Sequence, residues 1–295
     1  MKVENAGWQW TAHLVLIVFS AAAILPFALL LISSFTDEQA ILQNGYSFFP
    51  DKFSTQAYDY LLNQSSEIVR AYGVTVLVTV VGTSASLAIT TLLAYPLSRR
   101  DIPFRTPLAF YVFFTLLFNG GLVPTYLMYT QYFDLKNTLL ALIIPGLLMN
   151  GFNVLLMRTF FVTSIPLPVI ESARIDGAGE FRTLYSVVLP LSLPILATIG
   201  LFQTIAYWND WFNGLIYLTE PKLFSIQNIL NRIMTDIQFL SSGNLGSAAS
   251  QGMAALPSTT VRMAIAVVGV LPILVAYPFF QKYFIKGITI GAVKG

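Results

Sequence analysis

The sequence predicts an all-α integral membrane protein with six transmembrane helices. Two observations carry that reading. Only 10% of the 295 residues are charged and 56% are hydrophobic, whereas a soluble globular domain carries about a quarter charged residues. The mean hydropathy is +0.70. The few charges also leave six long uninterrupted runs: Asn5–Thr36, Ala71–Ser98, Thr106–Phe133, Asn137–Met157, Thr183–Asn209 and Met263–Gln281. The shortest has 19 residues, and roughly 20 apolar residues carry a helix across a bilayer. A seventh run, Ile237–Val261, contains SSGNLGSAASQG and a proline and reads as a loop.

The expected organisation is a single transmembrane domain over 1–295, with spans at about 11–35, 70–97, 107–128, 138–160, 191–213 and 261–284. The first span is too long for a cleaved leader, has no small-residue cleavage pattern and leads into further spans. It contains Pro26, which predicts a kink. Between spans one and two, Gly45, Pro50 and the Asp51-Lys52 pair mark turns, and 58–69 reads as a short interfacial helix. Span two ends at Pro96 and Ser98-Arg99-Arg100. Span three is interrupted by Asn119-Gly120-Gly121 and Pro124, which either unwind the helix along a cavity or form a glycine packing face with a kink. Span four carries Asn150, Gly151 and Asn153, whose polar groups need partners in other helices or in a wet pathway. Span five ends in TIAYWNDWFNG. There Trp208 and Trp211 suit an interfacial aromatic belt, or the end faces a wet vestibule with Asn209, Asp210 and Asn213. A long segment over 215–260 follows, in which 224–237 reads as an amphipathic helix.

An even number of spans puts both termini on one side. If that side is cytoplasmic, it holds Lys2, Arg99, Arg100, Arg105, Arg158, Arg174, Arg182, Lys282, Lys286 and Lys294, against Lys52, Arg70, Lys136, Lys222, Arg232 and Arg262 opposite. Positive charge concentrates inside, so the expected orientation is N-in and C-in, multi-pass in a cytoplasmic membrane.

Enzyme chemistry finds no support. HExxH and GxSxG are missing, cysteine is absent, and His13 is the one histidine. It reads as an interfacial residue beside Trp8 and Trp10. No metal site and no catalytic residue are expected. The tail GITIGAVKG does not satisfy the phosphate-loop pattern GxxxxGK[ST]. Intramembrane charges are nearly missing apart from Asp210, whereas ion-driven carriers bury ionisable groups at mid-membrane. The driving energy is therefore expected from another protein.

The polar stretch Glu171–Pro194, ESARIDGAGEFRTLYSVVLPLSLP, stands out in so apolar a chain. Ser164 can cap a helix, and Pro166 and Pro168 suit a first turn. Glu171 then lies near the positive end of a short helix reaching Asp176. Gly177 is placed to end that helix left-handed. A second short helix over 179–188 carries Phe181, Leu184 and Tyr185 on one face, and Pro190 and Pro194 open span five.

These residues resemble the EAA signature of ATP-binding-cassette importer permeases: E-A-A, three residues, G, nine residues, I-x-L-P. Here it stands as Glu171-Ser172-Ala173, Gly177, Val187 and Leu189-Pro190, with Ser172 for Ala, Val187 for Ile, and Asp176-Gly177-Ala178 matching the family's D-G-A. The resemblance implies the type I importer fold, with residues 161–190 as a cytoplasmic coupling helix seated in a cleft of an ATPase subunit. Glu171, Ser172, Ala173, Asp176, Gly177 and Ala178 would form the coupling turn. It implies ATP and Mg on that partner and no cofactor on this chain.

The WND of span five and the GITIGAVKG tail look like the carbohydrate-uptake branch, in the shorter subunit of the G-type maltose-permease kind. The segment 215–260 leans toward the subgroup importing alginate and pectin fragments. That implies a homologous second permease, a two-fold ATPase dimer, an extracellular solute-binding protein and a carbohydrate cargo, with membrane lipid around the chain and no nucleic acid. In that subunit the tail reaches the ATPase interface, so Gly291, Lys294 and Gly295 are candidates for that contact. Candidates for the substrate pathway are Asn119, Asn150, Asn153, Gln203, Tyr207, Asn209, Asp210 and Trp211, with Trp208 or Trp211 to stack on sugar faces; helix packing competes for each. Two other readings are a stand-alone secondary transporter or channel, and a membrane-anchored scaffold that uses the loop for assembly.

Overall fold

The computed structural model describes residues 6–63, 65–241 and 258–292. In chain order its helices are α1 (Ala6–Ser34), α2 (Glu38–Asn44), α3 (Gln56–Asn63), α4 (Ser65–Ser98), α5 (Arg105–Leu117), α6 (Leu122–Leu127), α7 (Leu140–Ile143), α8 (Gly151–Ser164), α9 (Leu167–Ile175), α10 (Glu180–Thr183), α11 (Leu189–Leu191), α12 (Leu193–Trp208), α13 (Phe212–Tyr217), α14 (Ile226–Ser241) and α15 (Ser258–Ala292). Wider π turns cover Met128–Tyr132 and Leu184–Val188. By contact the chain divides into two compact units, one of Met1–Ile68 with Leu230–Pro272 and one of Val69–Ile229 with Ile273–Gly295.

Among the described residues, α1 and α4 are each long and apolar enough to cross a membrane. In α1 the helix runs on through Pro26 without a break. The chain then turns through Asp37, whose side chain accepts from Gln39 N at 3.2 Å to open α2, and Gly45 at φ 76° ends that helix. Lys52 Nζ pairs with Asp37 at 3.0 Å and Asn44 donates to Asp51 at 2.9 Å. The turn residues flagged in the sequence thus close one small loop. In place of one helix over 58–69 there are two, because α3 stops at Asn63 and α4 already begins at Ser65. Glu38 caps a helix distant in sequence. Its carboxylate accepts from Thr259 N at 2.9 Å, Thr260 N at 2.8 Å and Thr260 Oγ1 at 2.8 Å at the start of α15. An anion there satisfies orphan N–H groups and faces the positive helix end.

The second unit is built around a core of Tyr95, Leu97, Val112, Val154, Met157 and Ile199, drawn from α4, α5, α8 and α12. Spans three and four are both broken, the first where the sequence marks an interruption and the second where a continuous helix is expected. In span three α5 stops at Leu117, Gly121 takes φ 89°, and the chain bends by 115° into α6 and the π turn after it. A Cβ at Gly120 or Gly121 would meet nothing closer than 4.0 Å. Within this chain those glycines pack against nothing, and the structure shows the break at them. In span four, the expected helix over 138–160 becomes α7, a non-helical stretch, and α8. Asn150 starts α8 by accepting from Phe152 N at 2.9 Å and Asn153 N at 3.2 Å.

A break inside a span frees carbonyls that lipid cannot hydrogen-bond. Side chains that follow in the chain supply the donors. Tyr207 OH donates to Ile143 O at 2.9 Å, Asn213 Nδ2 to Pro145 O at 3.0 Å, and Gln203 Nε2 to Leu147 O at 3.3 Å. Gln203 Nε2 also meets Ser86 Oγ of α4. Gly82 makes room for this arrangement, since a Cβ there would lie 2.5–2.8 Å from the Tyr207 ring.

Span five is α12, after which α13 follows a short turn. Trp208 is buried and packs 6.2 Å from Tyr72, so it is a core residue and not part of an interfacial belt. Trp211 is partly exposed and sets its edge on Phe212. The amphipathic segment forms α14, which buries Ile226, Ile229, Leu230 and Ile233 and exposes Thr235 and Asp236. The last span lies within α15, and the helix continues past 284 to Ala292. Gly291 falls in its last turn, while Lys294 and Gly295 lie outside the described residues.

The Tyr207 hydroxyl is buried against a broken span, so Tyr207→Phe leaves the Ile143 carbonyl without its donor. A cost of about 1–3 kcal/mol is expected, read as a lowered thermal unfolding midpoint of the purified protein in detergent. An unchanged midpoint would show that the break needs no such support.

Candidate functional site

The stretch singled out in the sequence folds as two short helical legs. The first, α9, bends by 80° from α8 at Ile165-Pro166. Ser164 closes α8, and the N-cap of α9 is Pro166 with no side-chain hydrogen bond. The expected serine cap is absent because the Ile165-Pro166 turn intervenes. The second leg, Glu180–Leu191, bends by 83° into α12. Proline sets that bend, since neither Pro190 nor Pro194 can donate a backbone hydrogen bond. Before it the helix widens, with Leu189 N reaching Leu184 O five residues back. At the corner Ser192 is buried and returns its hydroxyl to Val188 O at 2.7 Å.

Between the legs sits a Schellman turn. Gly177 N donates to Arg174 O and Ala178 N to Ala173 O, both at 2.9 Å, while Gly177 holds φ 79°. This is the 5→2 and 6→1 pairing that satisfies the last carbonyls of a helix. The motif thereby acquires a local physical meaning. Ala173 and Ala178 occupy its two ends, Gly177 its left-handed position, and Asp176 the cap, with its N–H on Ser172 O at 3.0 Å. Ser172 Oγ donates to Val169 O at 3.0 Å. Glu171 and Asp176 point to solvent as exposed residues.

Burial divides the loop into two faces. Ile170, Leu184 and Val188 belong to the core cluster. Ile175 at 86%, Phe181 at 81% and Tyr185 at 75% are exposed. The expected shared face of Phe181, Leu184 and Tyr185 is thus divided, with Leu184 turned inward and the two aromatics outward.

The polar side of the loop is tied down by a closed ring of charge that sequence reasoning missed. Arg99, only 5% exposed, grips Asp101 through Nε and Nη2, both at 3.1 Å. Asp101 accepts from Arg174 Nη2 at 2.6 Å, and the same nitrogen meets Glu180 at 2.5 Å. Glu180 returns to Arg99 Nη1 at 3.5 Å. Tyr95 donates to Glu180 at 2.6 Å and accepts from Arg99 Nη1 at 3.1 Å. The Arg174 guanidinium, helped by Arg99, holds Asp101 down at about 2. Burial works to raise Glu180, but the Tyr95 hydroxyl and the two guanidiniums outweigh it and keep it below the usual carboxylate range. One signal was available: Arg174 and Glu180 are opposite charges on either side of Gly177. Arg99 and Asp101 had no such mark, because their role depends on a contact some seventy residues away in sequence.

The substrate-pathway candidates fare differently. Asn119 accepts from Gly121 N, Asn150 caps α8, and Asn209 donates to Ile205 O, so all three serve helix ends. Gln203 and Tyr207 hold the break in span four, and Asn153 is buried. Asp210 accepts from Asn213 N through Oδ1, while its buried Oδ2 has no hydrogen-bond partner among the described residues. Among the described residues, no group of three or more His, Cys, Asp or Glu side chains is placed to hold a metal.

Comparison with known proteins gives the family. The family described as "Binding-protein-dependent transport system inner membrane component" matches residues 8–290. The chain belongs to this family. It is 38% identical over 294 residues to the polygalacturonan/rhamnogalacturonan transport system permease protein YtcP of Bacillus subtilis, covering 99% of this chain and 100% of that one. It is 36% identical over 277 residues to Protein LplC of the same organism, covering 93% and 90%. A solved bacterial ABC transporter involved in import of the acidic polysaccharide alginate contains a chain matching with TM-score 0.78 and 28% identity, covering 96% of this chain and all of that one. The protein is thus a multi-pass permease subunit of an ABC importer with the type I fold. It is a transport component and not an enzyme, and it works with an ATPase and a solute-binding protein.

Asp101 has a depressed folded-state pKa, so its stabilising contribution is complete above its ordinary value of 3.8 and fades as pH falls toward about 2. The loss in thermal midpoint caused by Asp101→Asn should therefore stay constant from about pH 5 to 8 and shrink only below about 4. A loss that changes steadily across neutral pH would contradict the ring geometry.

Proposed function

We propose that the chain carries an oligosaccharide or polysaccharide fragment from its solute-binding protein across the membrane by ATP-driven alternating access, paired with a homologous second permease. The carrying observation is the loop from Leu167 to Leu191. Its Schellman turn is built from the motif residues, and it leaves Ile175, Phe181 and Tyr185 exposed. Exposed apolar side chains on a polar protrusion suit a protein docking site, and the ATPase is the partner they fit. Glu171 and Asp176 are exposed and can meet basic groups there. The names of the relatives, for polygalacturonan and rhamnogalacturonan in one and alginate in another, support a carbohydrate cargo.

In this reading the loop and both termini face the cytoplasm, consistent with the basic residues gathered at Arg99–Arg105 and in the loop. ATP and Mg reside on the ATPase dimer, and this chain holds no cofactor. The helical tail through Gly291, with Lys294 and Gly295 beyond, adds a second ATPase contact. One coupling loop per chain engages one half of a two-fold ATPase dimer, which calls for a second permease. The family resemblance of the tail favours a heteromeric pair. On the cargo side, Asp210 and Trp211 keep the most capacity for a sugar, since the other candidates are committed to helix ends, to the break or to the interior.

Proteoliposomes holding both permeases and the ATPase should take up oligosaccharide only with ATP inside and binding protein outside. Uptake that persists without the ATPase would sink the proposal in favour of a stand-alone carrier. For the loop itself, proline cannot adopt the φ 79° of Gly177. Gly177→Pro should abolish capture of the ATPase by the tagged permease while leaving its membrane insertion intact. Capture at wild-type yield would contradict the docking role. Cargo identity follows from titrating the cognate binding protein against a panel of neutral and acidic oligosaccharides.

A further inference from the structure

The ring of Arg99, Asp101, Arg174 and Glu180 lies outside the signature residues. It joins the end of α4 and the turn after it to both legs of the loop. Charges alternate around it without interruption, so each carboxylate is shared by two guanidiniums and each guanidinium by two carboxylates. Arg99 is buried, and a buried charge that loses its partners is costly. Separating the loop from α4 would break the Arg99–Glu180 contact of that buried charge together with the more exposed Arg174–Asp101 pair, so the two elements are held to move together.

A second tie reinforces the first, because Arg158 Nε of α8 donates to Leu97 O at the same end of α4 at 3.0 Å. Along α4, Ser86 meets Gln203, which in turn donates to Leu147 O in the broken span. Contacts therefore run from the loop through α4 to the one place where span four is not helical.

We propose that this ring is the strut that makes α4 follow the coupling loop, so that ATPase closure reaches the broken span. Arg99, Asp101, Arg174 and Glu180 are then positioning residues for transport. The inference rests on the reading that the loop docks the ATPase.

The ring geometry makes the two arginines unequal. Arg174 reaches both carboxylates through the single nitrogen Nη2, which a lysine ammonium can imitate. Arg99 uses Nε, Nη1 and Nη2 together, which lysine cannot.

The test uses the complete transporter in proteoliposomes and reads sugar moved per ATP hydrolysed, beside the yield of assembled complex. Arg174→Ala should lower the ratio about tenfold with the complex still recovered. Arg174→Lys should restore it to within about twofold, and Arg99→Lys should match Arg174→Ala. An unchanged ratio in Arg174→Ala overturns the strut. So does an assembled Arg174→Lys complex as poor as Arg174→Ala, and so does loss of assembly in Arg174→Ala, which would make the ring a docking or folding element only. Failure of the docking reading itself shows separately, as capture of the ATPase by Gly177→Pro.

Discussion

The bilayer's refusal to hydrogen-bond a free backbone carbonyl governs this structure. An unbroken helix meets that demand alone, as α1 and α4 do. The broken fourth span cannot, and three carbonyls, of Ile143, Pro145 and Leu147, are met by Tyr207, Asn213 and Gln203. That requirement fixes how α12 and α13 sit against the break. It also explains Gly82, where any side chain would collide with the Tyr207 ring. Polar side chains in an apolar sequence invite reading as a cargo pathway, and several here are instead what permits the irregular backbone.

At the other end of the same unit a different economy applies. The loop is polar enough to stay out of lipid, yet it exposes Ile175, Phe181 and Tyr185. Its stiffness comes from the Schellman turn, the two proline corners and a charge ring anchored on buried Arg99. The carboxylates of that ring are about half exposed, so solvent screens them and the ring contributes more to positioning than to overall stability. A protrusion held by such ties, with apolar side chains exposed on it, suits a part that must transmit force from a partner with little bending of its own.

Much of this was legible beforehand because the governing physics is local. Charge-free length marks a span, glycine at the end of a polar helix marks a left-handed cap, and the spacing from Glu171 to Pro190 marks the loop and its family. Where the reading erred, the deciding fact lay elsewhere in the chain. Trp208 resembles a belt residue until Tyr72 is seen beside it. Phe181 and Leu184 look like one face until the core claims Leu184 alone. Asn119-Gly120-Gly121 permits either a kink or a break, and the 115° bend between α5 and α6 shows the break.

The sequence by itself determined the membrane class, the loop with its turn residues, and the family, because each depends on composition or on spacings of fewer than about twenty residues. Only the tertiary structure decided which polar residues support the backbone, that Glu38 caps α15, and that Arg99 and Asp101 close a ring with Arg174 and Glu180. The contacts that cross between elements, such as Arg174 with Asp101 and Glu38 with Thr259, join residues 73 and 221 positions apart. No local pattern encodes them; they exist because buried charges and orphan carbonyls must find partners, and packing determines which partners are within reach.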